Sequence, residues 1–543
     1  MANTFDLLIR HGRIMDGTGR PAFEGDIGVA GDTIAEIGSI PPEAQAARTI
    51  DASGQVVVPG FIDIHTHADI ALMVRPEHLP KVMQGVTTEI FTNCGLGFAP
   101  VTEEGLEIQR RYIAGLFGDD GSGPEGEAGQ EQKGGRPRVD WNWRTVADFL
   151  SRYESQGIGV NMAYLIPHGA VRVSVMGMAE RPADAEEVAR MRAMVEQGME
   201  EGAWGLSTGI WYAPMRAADR AELVAICRAA GFFATHQRDY GKNIFQATEE
   251  SLAIAREAEV PVQIAHLQMN GPDNAGRAPQ LLELLERAIA EGVDVTCDTY
   301  PYTAGSTFVQ SLLPSWAVDG GPEAILRRLA DPQTRARIVE ALRLHSETGQ
   351  PRADWNRFML VGTVSSINGP FEGQTFDAVA AARGMSVPEW ICALLEEDNL
   401  RACYVQHAAH EGNVRDILRW PHQMVGSDGL HLPGKTHPRL YGTFPRVLGR
   451  YVREEKIIPL EQAVHKMTGM PAARLGLKQR GLLQKGYAAD IVVFDPATVH
   501  DIATFEDPLR YPIGIPYVFV NGVAVKEGDQ PTGALPGKVL RRA

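Results

Sequence analysis

Along the first 55 residues, apolar positions come in short runs cut by glycine. FDLLIRHGRIMDGTG (5–19) reads as a strand and a turn, and GDIGVAGDTIAEIGSI (25–40) as two strands about Gly31-Asp32. The other end of the chain has the same character. ADIVVFDPATV (489–499) and IPYVFVNGVAVKEG (515–528) read as strands, the second broken by Asn521-Gly522. Neither end is long enough to bury its own core. Residues 1–58 and 478–543 are therefore expected to pack together as one small β domain built from both termini.

Between them the pattern changes to apolar strand followed by helix, repeated. The candidate strands are VVVPGFIDIH (56–65), GVTTEIFTNCG (85–95), GVNMAYLIPHG (159–169), AWGLSTG (203–209), GFFATHQR (231–238), VPVQIAHLQ (260–268), VDVTCDTYPY (293–302) and HQMVGSDG (422–429). Most are near-continuous apolar or β-branched runs, as parallel strands buried on both faces require. Amphipathic stretches such as 181–202 and 243–259 fill several gaps as helices. Eight such units predict an α/β fold, a (β/α)8 TIM-like barrel over residues 59–477.

Two excursions break the rhythm. Residues 118–138 are Gly-rich and polar, a composition that cannot bury a core, and read as a floppy loop or a mobile lid after the second strand. The stretch from about 307 to 422 is too long for one connecting helix. It predicts a helical insertion between strands seven and eight, with a capping box at Ser386–Glu389.

Composition narrows the class. With 44% hydrophobic and 22% charged residues, the 543-residue chain reads as an ordinary soluble globular protein. A net charge of −16 argues against a nucleic-acid partner. No run approaches the roughly 18 to 20 apolar residues of a membrane span, and no secretory signal is visible at the start. Five scattered cysteines fit a reducing compartment, so a cytoplasmic location is expected. Oligomeric state leaves no signature in these patterns.

The chemistry gathers at strand ends. In a (β/α)8 barrel, catalytic groups sit where the strands finish. Strand one ends in His65-x-His67, strand two in Cys94, strand five in His236, strand six in His266 and strand eight in Asp428. The plain alternatives are a packed structural thiol at Cys94 and a turn residue at Asp428. They are outweighed by the agreement of five strand ends. Imidazole, thiolate and carboxylate together suit zinc.

These residues carry a family resemblance. PGFIDIHTHAD, TTEIFTNCG, THQRDYG, AHLQ, DTYPYTAGST, MVGSDG and HPRLYGTFPRVLGRYVRE resemble the N-acyl-D-amino-acid deacylases (D-aminoacylases) of the amidohydrolase superfamily, over nearly the whole chain. The resemblance implies a tight Zn2+ held by Cys94, His236 and His266, a second, weaker position flanked by His65 and His67, and Asp428 as both ligand and catalytic carboxylate. Many related hydrolases carry a bridging lysine on strand four. WGLSTGI has none, and Cys94 takes that place.

The implied reaction is hydrolysis of a small-molecule N-acyl-D-amino acid to a carboxylic acid and a free D-amino acid. Tyr300, Ser306 and Tyr212 match substrate-facing positions, Arg439 is placed either to help them or to form a surface salt bridge, and His168 is placed either to stabilise the substrate carbonyl or to pack. Gln268 departs from the family's usual lysine in His-Leu-Lys. It would offer the substrate carboxylate an amide N–H instead of a cation, and it keeps alive the alternative of another C–N substrate, such as a hydantoin or a small peptide-like amide. A non-catalytic scaffold is disfavoured, because all six ligand positions are kept.

Overall fold

The computed structural model of the chain describes residues 4–117, 139–344 and 354–542. The Gly-rich stretch 118–138, expected as loop or lid, lies outside the described residues.

Both ends of the chain meet in one sheet of nine strands. Thr4–Ile14 pairs antiparallel with Phe23–Ala30, and parallel with both Gln45–Asp51 and Val56–Pro59. Ile491–Phe494 then joins antiparallel to Val56–Pro59, and Tyr517–Val520 to Ile491–Phe494. Leu7, Ile9, Ile27, Val57, Ile491, Val493 and Phe519 form its core. The hairpin closes through Asn521 (φ +47°) and Gly522 (φ +80°), the left-handed pair that a tight two-residue turn demands.

The first candidate strand proves to be two. Val56–Pro59 belongs to the terminal sheet, whereas Phe61–Asp63 begins the inner set. The break falls at Gly60, where a Cβ would lie 2.0 Å from Thr87 Oγ1. The inner strands are β1 (Phe61–Asp63), β2 (Val86–Phe91), β3 (Asn161–Tyr164), β4 (Leu206–Gly209), β5 (Phe233–His236), β6 (Val262–Ile264), β7 (Val295–Thr299) and β8 (Gln423–Val425).

All inner pairings are parallel. β1, β2 and β3 pair in order, as do β4 through β8. Ile166–Pro167, just beyond β3, pairs with β4. Thr66–His67, beyond β1, pairs with Gly429–Leu430, beyond β8. Helices Ala185–Glu200, Arg220–Ala230 and Ile244–Ala258 pack side by side outside β4 to β6. Among the described residues no single helix is long and apolar enough to cross a membrane.

The insertion after β7 departs from the helical expectation. It holds helices, among them Gly321–Ala330, Pro332–Arg343 and Val387–Glu397, the last opening with Glu389 accepting the Ser386 N–H at 2.9 Å. It also holds an antiparallel sheet in which Cys403–His407 lies between Ala304–Phe308 and Phe358–Val361. The insertion therefore starts with AGSTF, a strand whose small and polar residues give no apolar alternation.

Candidate metal centre

Each side chain of the predicted constellation stands at or just past a strand end. His236 is the last residue of β5, and His65 and His266 lie two beyond β1 and β6. Cys94 sits in a turn after β2, and Asp428 three residues past β8. The Asp428 N–H donates to the His65 carbonyl at 2.9 Å, tying the first strand end to the last. Cys94 (φ +58°), His266 (φ +32°) and Asp428 (φ +50°) all adopt left-handed backbone, a strain that clusters at functional sites. Gly209 permits the Cys94 turn, since a Cβ there would meet the Cys94 carbonyl oxygen at 2.0 Å.

The six residues converge. Potential ligand atoms of His65, His67 and Cys94, of Cys94, His236 and His266, and of His65, His266 and Asp428 lie within 4.8 Å of one another in each group. Cys94 Sγ is 3.3 Å from both His65 Nε2 and His266 Nε2. Asp428 Oδ1 is 3.2 Å from His67 Nε2 and 3.5 Å from His65 Nε2. Cys94 thus belongs to two adjacent groups, and Asp428 closes the third.

Burial sets the charge states. It holds His236 well below the usual histidine range, with His266 adding to the effect, and brings His266 itself down to about 4. Burial also pushes the Cys94 thiol up to about 11. For Asp428 burial is overcome: Arg439 first, then His65 and His67, hold the carboxyl well below the usual carboxylate range. The Nδ1 atoms of His67 and His236 are buried with no hydrogen-bond partner among the described residues. Imidazoles that burial keeps neutral at His67, His236 and His266, a His65 that Asp298, Cys94 and Asp428 hold above the usual histidine range, a thiol that ionises only beside a cation and a fixed carboxylate make a donor set that fits a divalent metal.

Asp298, at the end of β7, was missed in the sequence. One of its oxygens accepts from His65 Nδ1 at 3.0 Å and from the His266 N–H at 2.7 Å, so it orients two of the imidazoles. The other accepts from Gln263 at 3.0 Å. Asp63, at the end of β1, accepts from Lys81 at 2.5 Å, from the Ser427 N–H at 2.8 Å and from the His65 N–H at 3.3 Å. Lys81, itself fully buried, also reaches Ser427 Oγ at 2.5 Å, bracing the turn that carries Asp428.

Beside the cluster lies a second group of polar atoms. Arg439 Nη2 meets Asp428 Oδ2 at 3.0 Å and the Ser306 carbonyl at 3.3 Å, and the guanidinium stacks 4.5 Å over the Tyr300 ring. Arg439 Nε and Nη1 and Ser306 Oγ are buried with no partner among the described residues. The Tyr212 ring lies 4.8 Å from that of His236, with its hydroxyl 3.0 Å from Thr307 Oγ1.

Gln268 and His168 both find their partners within the protein. Gln268 does not aim a free N–H at a carboxylate, because its Nε2 donates to Thr299 Oγ1 (3.2 Å) and to the carbonyls of Tyr300 and Tyr302 (3.4 Å each). His168 binds Glu222 at 2.8 Å, and Glu222 also pairs with Arg172, all three of them buried. That is the packing alternative. Cys227, Cys297, Cys392 and Cys403 are buried free thiols.

The amidohydrolase family model matches residues 48–526. The chain is 38% identical to a D-aminoacylase of Alcaligenes xylosoxydans xylosoxydans, over 99% of its own length and 98% of the relative's. It is 35% identical to an N-acyl-D-aspartate deacylase of the same organism, over 98% and 95%. Among solved structures, an N-acyl-D-glutamate deacylase from Bordetella bronchiseptica, complexed with zinc and a phosphonate mimic of the tetrahedral intermediate, superposes with a TM-score of 0.81. The two are 32% identical, and the match covers 99% of this chain and all of that one.

Proposed function

Because this chain belongs to the amidohydrolase family, we propose that it is a zinc-dependent deacylase. It hydrolyses the amide bond of N-acyl-D-amino acids to a carboxylic acid and a free D-amino acid. The observation that carries the reading is the junction at Asp428. One carboxylate oxygen faces His65 and His67, and the other holds an arginine with unused donors. Hydrolytic centre and anion seat are thus one residue apart. The strand succession fits a (β/α)8 barrel, and the nine-stranded sheet fits a small domain made from both termini.

Cys94, His236 and His266 would hold the tight zinc, with His65 and His67 at a weaker second position. Bound zinc supplies Lewis acidity and lowers the pKa of water at the site. Asp428, held ionised by Arg439, accepts the proton of the attacking water and returns it to the departing nitrogen, which cannot leave as an anion. Arg439 Nε and Nη1, Ser306 Oγ and the Tyr300 hydroxyl take the substrate carboxylate. Charge-assisted bonds of this kind are about twice as strong as neutral ones. Tyr212 covers the zinc side of the substrate.

A ready-made carboxylate seat favours a linear acyl amino acid over a hydantoin. Turnover of N-acetyl-D-methionine, N-acetyl-L-methionine and a hydantoin, with metal content measured on the same sample, tests the reading. Preference for the hydantoin or for the L-isomer would overturn it.

A further inference from the structure

Resting on the reading of Cys94 as a ligand of the tight zinc, we infer that Ser207 is a positioning residue that sets this ligand in place. The fourth strand supplies none of the six side chains gathered at the centre, yet it is the strand that holds the cysteine. Three of the four residues from Thr92 to Gly95 have left-handed backbone: Thr92 (φ +63°), Cys94 (φ +58°) and Gly95 (φ +67°). That conformation is costly for a residue with a Cβ, and most of all for a β-branched one such as threonine. Such a turn persists only where its surroundings fix it.

Ser207, fully buried at the second position of β4, fixes it from both ends. Its hydroxyl accepts the Gly95 N–H at 3.0 Å and donates to the Thr92 carbonyl, so one oxygen spans the turn on either side of Cys94. A hydroxyl gives and takes at once, which no apolar side chain can do. Gly209 lies two residues on, along the same face of the strand, and leaves room for the Cys94 carbonyl. The hydroxyl of Thr208, between them, goes instead to Thr235 Oγ1 on β5 at 2.8 Å. From the other side, Asn93 Nδ2 donates to the carbonyls of Ile90 at 3.0 Å and Ile64 at 3.4 Å, tying the turn to the chain that carries His65. A sulfur that already stands beside its partner imidazoles needs no ordering when metal arrives, so loss of the clamp must show as lost affinity.

Zinc competition titrations and cobalt(II) spectra, both on chelator-stripped and reloaded protein, test this. In Ser207→Ala the tight-site affinity should fall by about 10- to 100-fold, the range for residues that orient a metal ligand. The thiolate-to-cobalt charge-transfer band should weaken as well, a signature that belongs to the cysteine and not to the imidazoles. Ser251→Ala is the control. It removes an equally buried hydroxyl, 3.0 Å from the Ala247 carbonyl within helix Ile244–Ala258, and should leave both readings unchanged. Unchanged affinity and band in Ser207→Ala would overturn the positioning role, and so would an equal loss in both variants. Cys94→Ala separates the two levels. If it keeps full metal occupancy, the ligand reading falls and this inference with it. If it loses metal while Ser207→Ala does not, this inference alone falls.

Discussion

Arg439 and Asp428 meet at 3.0 Å, the arginine side chain wholly buried and the aspartate nearly so. A buried arginine needs a counter-charge, and a general base needs to stay ionised; the pair serves both needs. Burial alone would lift the Asp428 pKa, and Arg439 is the largest influence pulling it back. Taking that charge away must therefore raise the pKa. A protonated Asp428 cannot accept a proton, so in Arg439→Gln the acidic limb of the kcat–pH profile should move to higher pH. Arg439→Lys keeps a charge and should leave the limb near its original place. An unmoved limb in Arg439→Gln would show that Asp428 does not govern it.

Asp428→Asn tests the base directly. It preserves shape and most contacts but cannot take up a proton, so kcat should fall by about 10²-fold or more. Tight metal should be retained, because Cys94, His236 and His266 are untouched. Near-normal kcat in this variant would remove Asp428 from the mechanism.

Cys94 carries a prediction about protons. Its thiol, at about 11, is protonated at neutral pH, whereas metal binds the thiolate. Loading the chelator-stripped protein at pH 7.5 should therefore release a proton per tight site, readable by calorimetry in buffers of different ionisation enthalpy. Activity should vanish with the metal and return with zinc. Cys94→Ala should lose metal and activity together, and full metal occupancy in that variant would exclude the cysteine as a ligand.

The strand ends were legible because parallel strands buried on both faces write themselves as apolar runs, and the polar residue that ends such a run stands out. His236 after FAT and Asp428 after MVGS are such cases. Asp298 shares that position at the end of β7, yet nothing local marks it. Its partner His65 is 233 residues away, and only the fold brings them to 3.0 Å. The same holds for AGSTF, whose pairing partner Cys403–His407 lies across the insertion. The division of VVVPGFIDIH falls at Pro59-Gly60, a breaker pair masked by the apolar residues on both sides of it, and it depends on Thr87 pressing against Gly60. Asp298→Asn gives this a test: with His65 and His266 less firmly oriented, metal affinity should fall by about 10- to 100-fold. Unchanged affinity in a competition titration would make Asp298 merely structural.

Gln268 invites two substitutions with opposite expectations. Its amide nitrogen satisfies the carbonyls of Tyr300 and Tyr302, and Tyr300 in turn supports Arg439. Gln268→Leu keeps the bulk but leaves those acceptors unmet, which costs about 1–3 kcal/mol for a buried group. The melting temperature should drop and KM for N-acetyl-D-methionine should rise as Tyr300 and Arg439 loosen. Gln268→Lys behaves differently. An ammonium can donate to the same carbonyls, so the turn stays braced, and it adds a positive charge beside the carboxylate seat. The melting temperature should then hold and KM for N-acetyl-D-methionine should fall, while KM for the corresponding carboxamide, which has no charge to pair, should not. Parallel changes for acid and carboxamide would mean that position 268 acts on the fold alone, and that the carboxylate is read elsewhere.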